Sequence, residues 1–287
     1  MQEHLWLAVL SAALAFGAPL LLAALGELIG ERAGVLNIGL EGMMLCGAWA
    51  GAAASFATRN APTGVLAAIA AGMILASLFA WLAITIRADA IVVGTGLNLF
   101  ALGLTGVAHR SMMARFGSYQ AVTLPEWLFW LIGAGLVPLL WWGFRRTKIG
   151  LIVRAVGEYP AAADTAGVHV NRTRWICTVL NGALCGLAGA FLSMSHTDAF
   201  NENMTSGRGF IALAIVIFGR WNPFGAVGAA LLFGAAEGLQ FFLQQSPLGT
   251  TYYPLLLALP YVVTLLTLAG FAGTSRAPAA LGQPYER

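Results

Sequence analysis

The chain has 287 residues, of which 59% are hydrophobic and only 9% are charged, against a charged share of about 25% in soluble proteins. This composition excludes a soluble globular domain, and a mean hydropathy of +0.79 indicates a polytopic membrane protein. The net charge of +3 comes from 15 basic residues spread along the chain rather than gathered on one folded face, which argues against nucleic-acid binding.

Nine apolar segments are candidates for membrane segments, and most of them approach or exceed the length that crosses a hydrocarbon core. In chain order they are 5–25, 35–57, 62–86, 91–108, 127–144, 173–193, 208–220, 224–244 and 252–271. The first lacks a preceding basic region and is longer than a signal-peptide core, so we expect it to be retained. The sequence therefore predicts an all-α, polytopic membrane helix bundle over 1–271, which includes a cytoplasmic loop at 145–174, and a short flexible tail over 272–287.

The second segment carries polar residues where they are costly. Glu31 and Arg32 lead into it without a polar break, and Asn37 and Glu41 lie within it. An ionisable group at the bilayer centre costs roughly 2.5–3.5 kcal/mol, so Glu41 needs a partner, an aqueous cavity or a functional role. Two interpretations stay open for Glu41, which are contact with a substrate and hydrogen bonds that lock neighbouring helices. Glu237 lies in a helix rich in Gly and Ala, and there we favour the structural role.

Two later segments are interrupted. Segment 91–108 contains Gly94, Thr95, Gly96 and Asn98, and segment 208–220 has only 11 apolar or Gly residues between its arginines. Irregular backbone at membrane depth is tolerated where it lines a cavity, so either segment is a candidate for a broken or re-entrant helix. The alternative is that the glycines serve close helix packing.

The loop between the fifth and sixth segments is the longest polar stretch. Because Lys and Arg favour cytoplasmic loops, its basic cluster places the loop inside, the N-terminus outside and the C-terminus inside, with 11 of the 15 basic residues in cytoplasmic connections. Pro160 suits the first turn of a helix and Gly167 suits its end, so a short helix is predicted between them. It is either a docking element for a cytosolic partner or an amphipathic connector on the lipid headgroups.

No chemistry on a substrate is indicated. The cysteines Cys46, Cys177 and Cys185 lie in apolar segments without metal-ligand spacing, and the four histidines are scattered, so we expect no metal site and no catalytic residues. A phosphate-binding loop needs GxxxxGK[ST], and the only lysine, Lys148, is in Thr-Lys-Ile. Any ATP-driven process therefore requires a separate ATPase subunit.

Several strings resemble a known family. ERAGVLNIGLEGMMLCGA at 31–48 resembles the signature of permease subunits of ATP-binding-cassette (ABC) importers for branched-chain amino acids and simple sugars, and within that family the nucleoside-type permeases. RAVGEYPAAADTAGVHV at 154–170 is similar to the region of the family's coupling helix, which docks in a groove of the ATPase subunit. Similar stretches at 89–106 and 207–240 extend the resemblance over roughly 15–245.

The resemblance implies a function and a set of partners. The chain would be the permease subunit of an importer, most simply for nucleosides, with simple sugars and branched-chain amino acids as alternatives. Its partners would be an ATP-binding subunit that holds ATP-Mg, a second homologous permease in a heterodimer, and an extracytoplasmic substrate-binding protein, in a bacterial inner membrane. The chain itself would carry no cofactor and would not be an enzyme.

The resemblance implies one set of site residues, and polar residues in the apolar segments indicate a second set. The implied ATPase-coupling residues are Arg154, Gly157, Glu158, Pro160, Ala162, Ala163, Asp164 and Gly167. The substrate path is expected near four polar residues of the second and fourth apolar segments, which are Asn37, Glu41, Thr95 and Asn98. A different class stays open, a self-sufficient secondary transporter driven by protons through Glu41 or Glu237.

Overall fold

A computed structural model describes residues 2–244, 258, 262 and 277–286, with the backbone alone for 2–10. Ten α-helices account for nearly all of the ordered secondary structure in these residues. They are α1 (Gln2–Arg32), α2 (Leu40–Thr58), α3 (Ala61–Ala80), α4 (Ala90–Phe116), α5 (Glu126–Arg146), α6 (Lys148–Glu158), α7 (Pro160–Thr165), α8 (Val170–Phe191), α9 (Arg208–Phe218) and α10 (Pro223–Gln244). The predicted all-α class is confirmed.

Six helices are long and apolar enough to cross a membrane. They are Ser11–Arg32, Ala61–Thr85, Ala90–Phe116, Glu126–Arg146, Val170–His196 and Pro223–Gln244. The chain is thus a multi-pass membrane protein, as composition indicates. Two of the remaining predicted segments correspond to α2, with 19 residues, and α9, with 11. Segment 252–271 falls outside the described residues apart from the isolated positions 258 and 262.

Two predicted boundaries were wrong at the junction of α1 and α2. The first segment was expected to end at residue 25, but α1 continues to Arg32, so Glu31 and Arg32 close the first helix rather than open the second. The second was expected from residue 35, but residues 33–39 form turns and irregular backbone, and α2 begins at Leu40. The charged residues extend α1 because Glu27 and Glu31 are buried there with hydrogen-bond partners.

Segment 91–108 was also wrong as a candidate break, because α4 runs without interruption from Ala90 to Phe116. Asp89 caps its start by accepting from the backbone N–H of Ile91 at 2.9 Å. Gly94 instead allows close packing, since a Cβ there would lie 2.8 Å from the backbone N of Gly39. The other candidate, α9, is a short helix of about 16 Å, which is about half of a hydrocarbon core.

The centre of the bundle is formed by α1 and α8. In the apolar 18-residue stretches of these two helices, 78% and 72% of the residues are buried. Glycines let their neighbours approach closely. A Cβ on Gly72 of α3 would lie 2.1 Å from the carbonyl oxygen of Gly182, and one on Gly47 of α2 would lie 2.6 Å from the Cα of Gly186. The packing interpretation of these small residues therefore holds for both α8 glycines.

The described part of the C-terminal tail, 277–286, contacts the end of the bundle that carries the polar loop. The backbone N–H of Ala280 donates to the carbonyl of Gly157 at 2.9 Å, and that of Gly282 donates to the carbonyl of Gly34 at 3.0 Å. Arg174 donates to the carbonyl of Gln283 at 2.8 Å. These hydrogen bonds place three segments together on one face of the bundle: the tail, the start of the α1–α2 connection and the end of α6.

Candidate functional site

The connection between α1 and α2 is held by buried side chains. One carboxylate oxygen of Glu27 accepts from the backbone N–H of Asn37 at 2.9 Å, and the other accepts from the Asn181 side-chain amide at 2.6 Å. All three residues are completely buried. Buried irregular backbone needs internal partners for its N–H groups, and Glu27 supplies one. Asn181 of α8 thereby forms a hydrogen bond that bridges to α1.

The first turn of α2 receives its missing hydrogen bonds from side chains. The Asn98 carbonyl oxygen accepts from the N–H of Gly42 at 2.8 Å, while its amide donates to the carbonyl of Ile38 at 2.9 Å. Asn37 accepts from the N–H of Gly39 at 2.9 Å. A helix start leaves its first N–H groups without intrahelical partners, and the Asn98 amide of α4 satisfies that of Gly42. Asn37 holds the N–H of Gly39 just before the helix.

Glu41 binds the start of the short helix α9. Its two carboxylate oxygens accept from the backbone N–H groups of Gly207 and Gly209, each at 2.7 Å. A carboxylate at a helix N-terminus is favoured by both the free N–H groups and the helix dipole. A Cβ at residue 209 would lie 2.5 Å from the backbone N of Glu41, so glycine is what permits this approach. Helices α2 and α9 therefore meet end to end through one side chain.

The other end of α9 is tied to α1. The indole N–H of Trp221, just beyond α9, donates to Glu31, and Arg32 donates to the carbonyl of Trp221. At the start of α9, Arg208 forms an ion pair with Glu237 of α10. The structural role favoured for Glu237 is therefore an ion pair across helices, with Arg208 as a partner that the sequence did not single out.

Three of the four predicted path residues come together. Asn37, Glu41 and Asn98 surround the first turn of α2, and their side chains bind backbone groups of the α1–α2 connection, of α2 itself and of α9. Thr95 lies on α4 one turn before Asn98, is exposed, and donates to the carbonyl of Ile91 at 2.8 Å. The first three shape the backbone at the α2–α9 meeting point, and Thr95 is the predicted path residue with an exposed side chain.

The predicted short helix is present in the polar loop. Helix α7 begins at Pro160 in its first turn, and Gly167 follows its end with a φ of +85°. On its inner side Ala163 packs with Val156 and Val170. The outer side presents Ala161 and Ala162, and Tyr159 at the turn before the helix is 71% exposed. An anchored short helix with an exposed aromatic residue is suited to docking.

The remaining predicted coupling residues lie around this helix. Glu158 is exposed and accepts from the N–H of Ala279 at 3.2 Å, while Asp164 is half-buried on α7. Gly157 is buried against α1, where a Cβ would lie 2.3 Å from the carbonyl oxygen of Arg32. Arg154 lines a cavity of about 500 Å³ at the ends of α1 and α5, together with three further arginines. These three are Arg32, Arg145 and Arg220.

The sequence missed Glu27, Tyr159 and Arg208, and it placed Glu31 at the start of the second segment rather than within α1. A hydropathy pattern ends a membrane span at its first charges, so the buried glutamates of α1 fell outside the first predicted segment. Their partners lie 10 to 190 residues away, a separation that local patterns do not encode. The available signal was the apolar run that continues between Glu27 and Glu31.

Comparison with known proteins identifies the family. Residues 9–268 match the model of the family described as branched-chain amino acid transport system / permease component. The chain belongs to this permease family. It is the membrane-spanning permease subunit of an ABC importer, a transport component rather than an enzyme, which confirms the resemblance carried by 31–48 and 154–170.

Three relatives align over nearly their whole length. The guanosine ABC transporter permease protein NupQ of Bacillus subtilis is 36% identical, over 96% of this chain and 96% of its own. The putative glucose ABC transporter permease protein TsgC13 of Haloferax volcanii is 35% identical, over 93% and 94%. The nucleoside ABC transporter permease protein NupC of Lactococcus lactis is 34% identical, over 95% and 94%. None of the solved structures matches the chain.

Family membership also removes one alternative. An ABC permease takes its energy from ATP, and the single lysine of this chain is not in a phosphate-binding loop. The interpretation as a self-sufficient proton-driven transporter is therefore set aside.

Proposed function

We propose that this permease carries nucleosides across the membrane. Two of the three relatives described above are named for guanosine or nucleosides, and they align with the whole permease rather than with one motif. The glucose-named relative keeps a simple sugar as the second candidate substrate. Branched-chain amino acids, which appear in the family's description, are the third.

The proposed assembly has four kinds of subunit. This chain pairs with a second, related permease in a heterodimer, and a separate ATPase binds ATP-Mg and docks on the cytoplasmic face. An extracytoplasmic binding protein delivers the substrate. The geometry that carries the proposal is helix α7, whose buried Ala163 anchors it while Tyr159 and Ala162 stay exposed.

The proposed orientation places Gly34, Gly157 and the tail in the cytoplasm, and their mutual contacts support one shared side. Four helices, α2 to α5, separate Gly34 from Gly157, an even number as the contact requires. Between Gly157 and Ala280 the chain passes through three membrane helices, α8, α9 and α10. Because three is an odd number, one more crossing is needed to bring the tail back to the side of Gly157. We assign it to the predicted segment 252–271, which gives nine membrane segments and an external N-terminus.

The proposed path runs past the meeting point of α2 and α9. Broken helices at membrane depth commonly direct their N-terminal ends toward a transported solute. Here Asn37, Glu41 and Asn98 hold the two helix starts in register, and the exposed Thr95 provides a hydroxyl on the neighbouring α4. The first three are therefore proposed as the residues that shape the path, and Thr95 as a residue that contacts the solute.

Coupling is proposed to pass from α7 through Gly157. That residue packs on the carbonyl of Arg32, and the tail connects its carbonyl to that of Gly34 through Ala280 and Gly282. A movement of α7 driven by the ATPase would therefore reach the α1–α2 connection, which contains Asn37. This route has few intervening residues, and each contact is between backbone groups.

The substrate proposal is tested by uptake into proteoliposomes that contain the complete assembly and internal ATP-Mg. We expect uptake of radiolabelled guanosine that excess unlabelled guanosine abolishes and that excess glucose or leucine leaves intact. Glucose uptake without guanosine uptake would replace the nucleoside assignment with the simple-sugar one.

A further inference from the structure

A cavity beside the start of α9 has no role in the site described above. It has a volume of about 240 Å³ and lies between α1, the end of α8, α9 and α10. Arg208 and Glu237 line it, and Arg208 stands between the two glycines that bind Glu41. The cavity therefore adjoins the meeting point of α2 and α9, where the proposed path runs.

Three polar side-chain atoms of residues that line this cavity lack hydrogen-bond partners. They are Nε of Arg208, Oε2 of Glu237 and Nε2 of Gln244, and each is buried. The described residues contain only six such side-chain atoms, and half of them belong to residues that line this one cavity. A buried polar atom without a hydrogen bond costs roughly 1–3 kcal/mol, which a ligand with matching donors and acceptors would recover.

The charge of the cavity favours a neutral ligand. Arg208 and Glu237 form an ion pair whose side chains are 13% and 19% exposed, so each already has its counter-charge. The atoms left over are two N–H donors and one carboxylate acceptor. A solute with hydroxyl or amide groups satisfies them without bringing a charge into the membrane, whereas a phosphate would need a second cation.

The opposite wall is aromatic. The Phe16 ring lies 5.0 Å from the ring of His196 and 6.0 Å from the ring of Phe241, measured between centroids. All three line the cavity. Aromatic side chains at such separations offer edges and faces against which a planar ring can pack.

We propose that this cavity binds the transported solute, as an uncharged molecule that combines a planar ring with hydrogen-bonding groups, as a nucleoside does. The inference rests on the proposed nucleoside function and assigns contacts for it: Arg208, Glu237 and Gln244 to the polar groups, and Phe16 and Phe241 to the ring. It adds these residues to the path, beyond the predicted set around Asn37 and Thr95.

Photolabelling tests the assignment. The complete assembly in lipid nanodiscs is irradiated with 8-azidoguanosine, and labelled peptides are located by mass spectrometry. We expect label on the α10 peptide around Phe241, removed by excess guanosine but not by guanosine 5′-monophosphate. Gln244→Leu should weaken labelling about tenfold, since one lost hydrogen bond to a buried group corresponds to about that factor.

Phe241 and Phe242 offer a matched pair, because both are about half exposed on α10 but only Phe241 lines the cavity. Phe241→Leu should weaken labelling, whereas Phe242→Leu should retain it, and both variants should still elute as an assembled complex. Label that maps to α4, or equal labelling in all three variants while ATP-driven guanosine uptake persists, overturns this inference and leaves the proposed function intact. Absence of guanosine uptake with active glucose uptake overturns both.

Discussion

Glu41 on α2 holds Gly209 on α9 by a hydrogen bond of 2.7 Å from the backbone N–H to the carboxylate. The second carboxylate oxygen binds Gly207 at the same distance. The start of a helix leaves N–H groups that its own turns cannot satisfy. One glutamate on a neighbouring helix satisfies two of them, which explains a charged residue at this position.

Replacing Glu41 should therefore lower stability. Glu41→Ala leaves the N–H groups of Gly207 and Gly209 without an acceptor, and we expect a loss of about 3 kcal/mol or more in the free energy of unfolding. Thermal unfolding of the purified protein measures it. Glu202→Ala is the matched control, since that carboxylate forms an exposed ion pair with Arg110. Equal stability of both variants, with uptake lost only in Glu41→Ala, would favour substrate contact instead.

Close helix crossings give a second prediction. Gly72→Ala places a Cβ 2.1 Å from the carbonyl oxygen of Gly182, so the helices must move apart, at a cost of about 1–3 kcal/mol or more. Gly96→Ala is the control, because a Cβ there meets nothing within 4 Å and alanine favours a helix. We expect a lower unfolding temperature for the first variant only. A tolerated Gly72→Ala would contradict the packing of α3 on α8.

Docking of the ATPase gives a third prediction. Tyr159→Ala removes the exposed aromatic residue beside α7, and we expect loss of ATPase co-purification while the permease remains folded. Trp127→Ala is the control, since Trp127 is also an exposed aromatic residue, with an exposed fraction of 64%. It lies at the start of α5, whereas the polar loop follows the end of that helix. If both variants retain the ATPase equally, helix α7 is a surface connector rather than the docking element.

The tail gives a fourth prediction. Ending the chain after residue 276 removes the partners of Gly34, Gly157 and Arg174. We expect faster amide hydrogen exchange at 33–39 and around Gly157, with slower ATP-driven uptake. Arg87→Gln serves as a milder comparison, because it breaks only the exposed ion pair with Glu286. Unchanged exchange after truncation would instead support the flexible tail that the sequence predicts for 272–287.

Much of the bundle follows from local patterns. Segment 127–144 corresponds to α5 at Glu126–Arg146, and the Pro160 and Gly167 signals bound α7 correctly, because spans and caps depend on neighbouring residues. The glycines of segment 91–108 misled, since a glycine that permits contact with Gly39 looks the same in sequence as one that breaks a helix.

The site was predicted less completely. Asn37, Glu41 and Asn98 were singled out because polar residues stand out in apolar segments, and their place on the substrate path stays a prediction. What each one binds could not be predicted: Glu41 meets a backbone 166 residues away, and Arg208 meets Glu237 across a helix reversal. The cavity beside Arg208 depends on four helices at once. Such features arise from tertiary packing, which no single stretch of sequence encodes.

The central claim is that this permease moves its solute with energy from a separate ATPase. The most direct measurement compares radiolabelled guanosine uptake by proteoliposomes that contain the complete assembly with uptake by proteoliposomes that lack only the ATPase. We expect uptake that requires the ATPase and internal ATP-Mg and that a protonophore does not reduce. Uptake by the permease without the ATPase, abolished by the protonophore, would contradict the account.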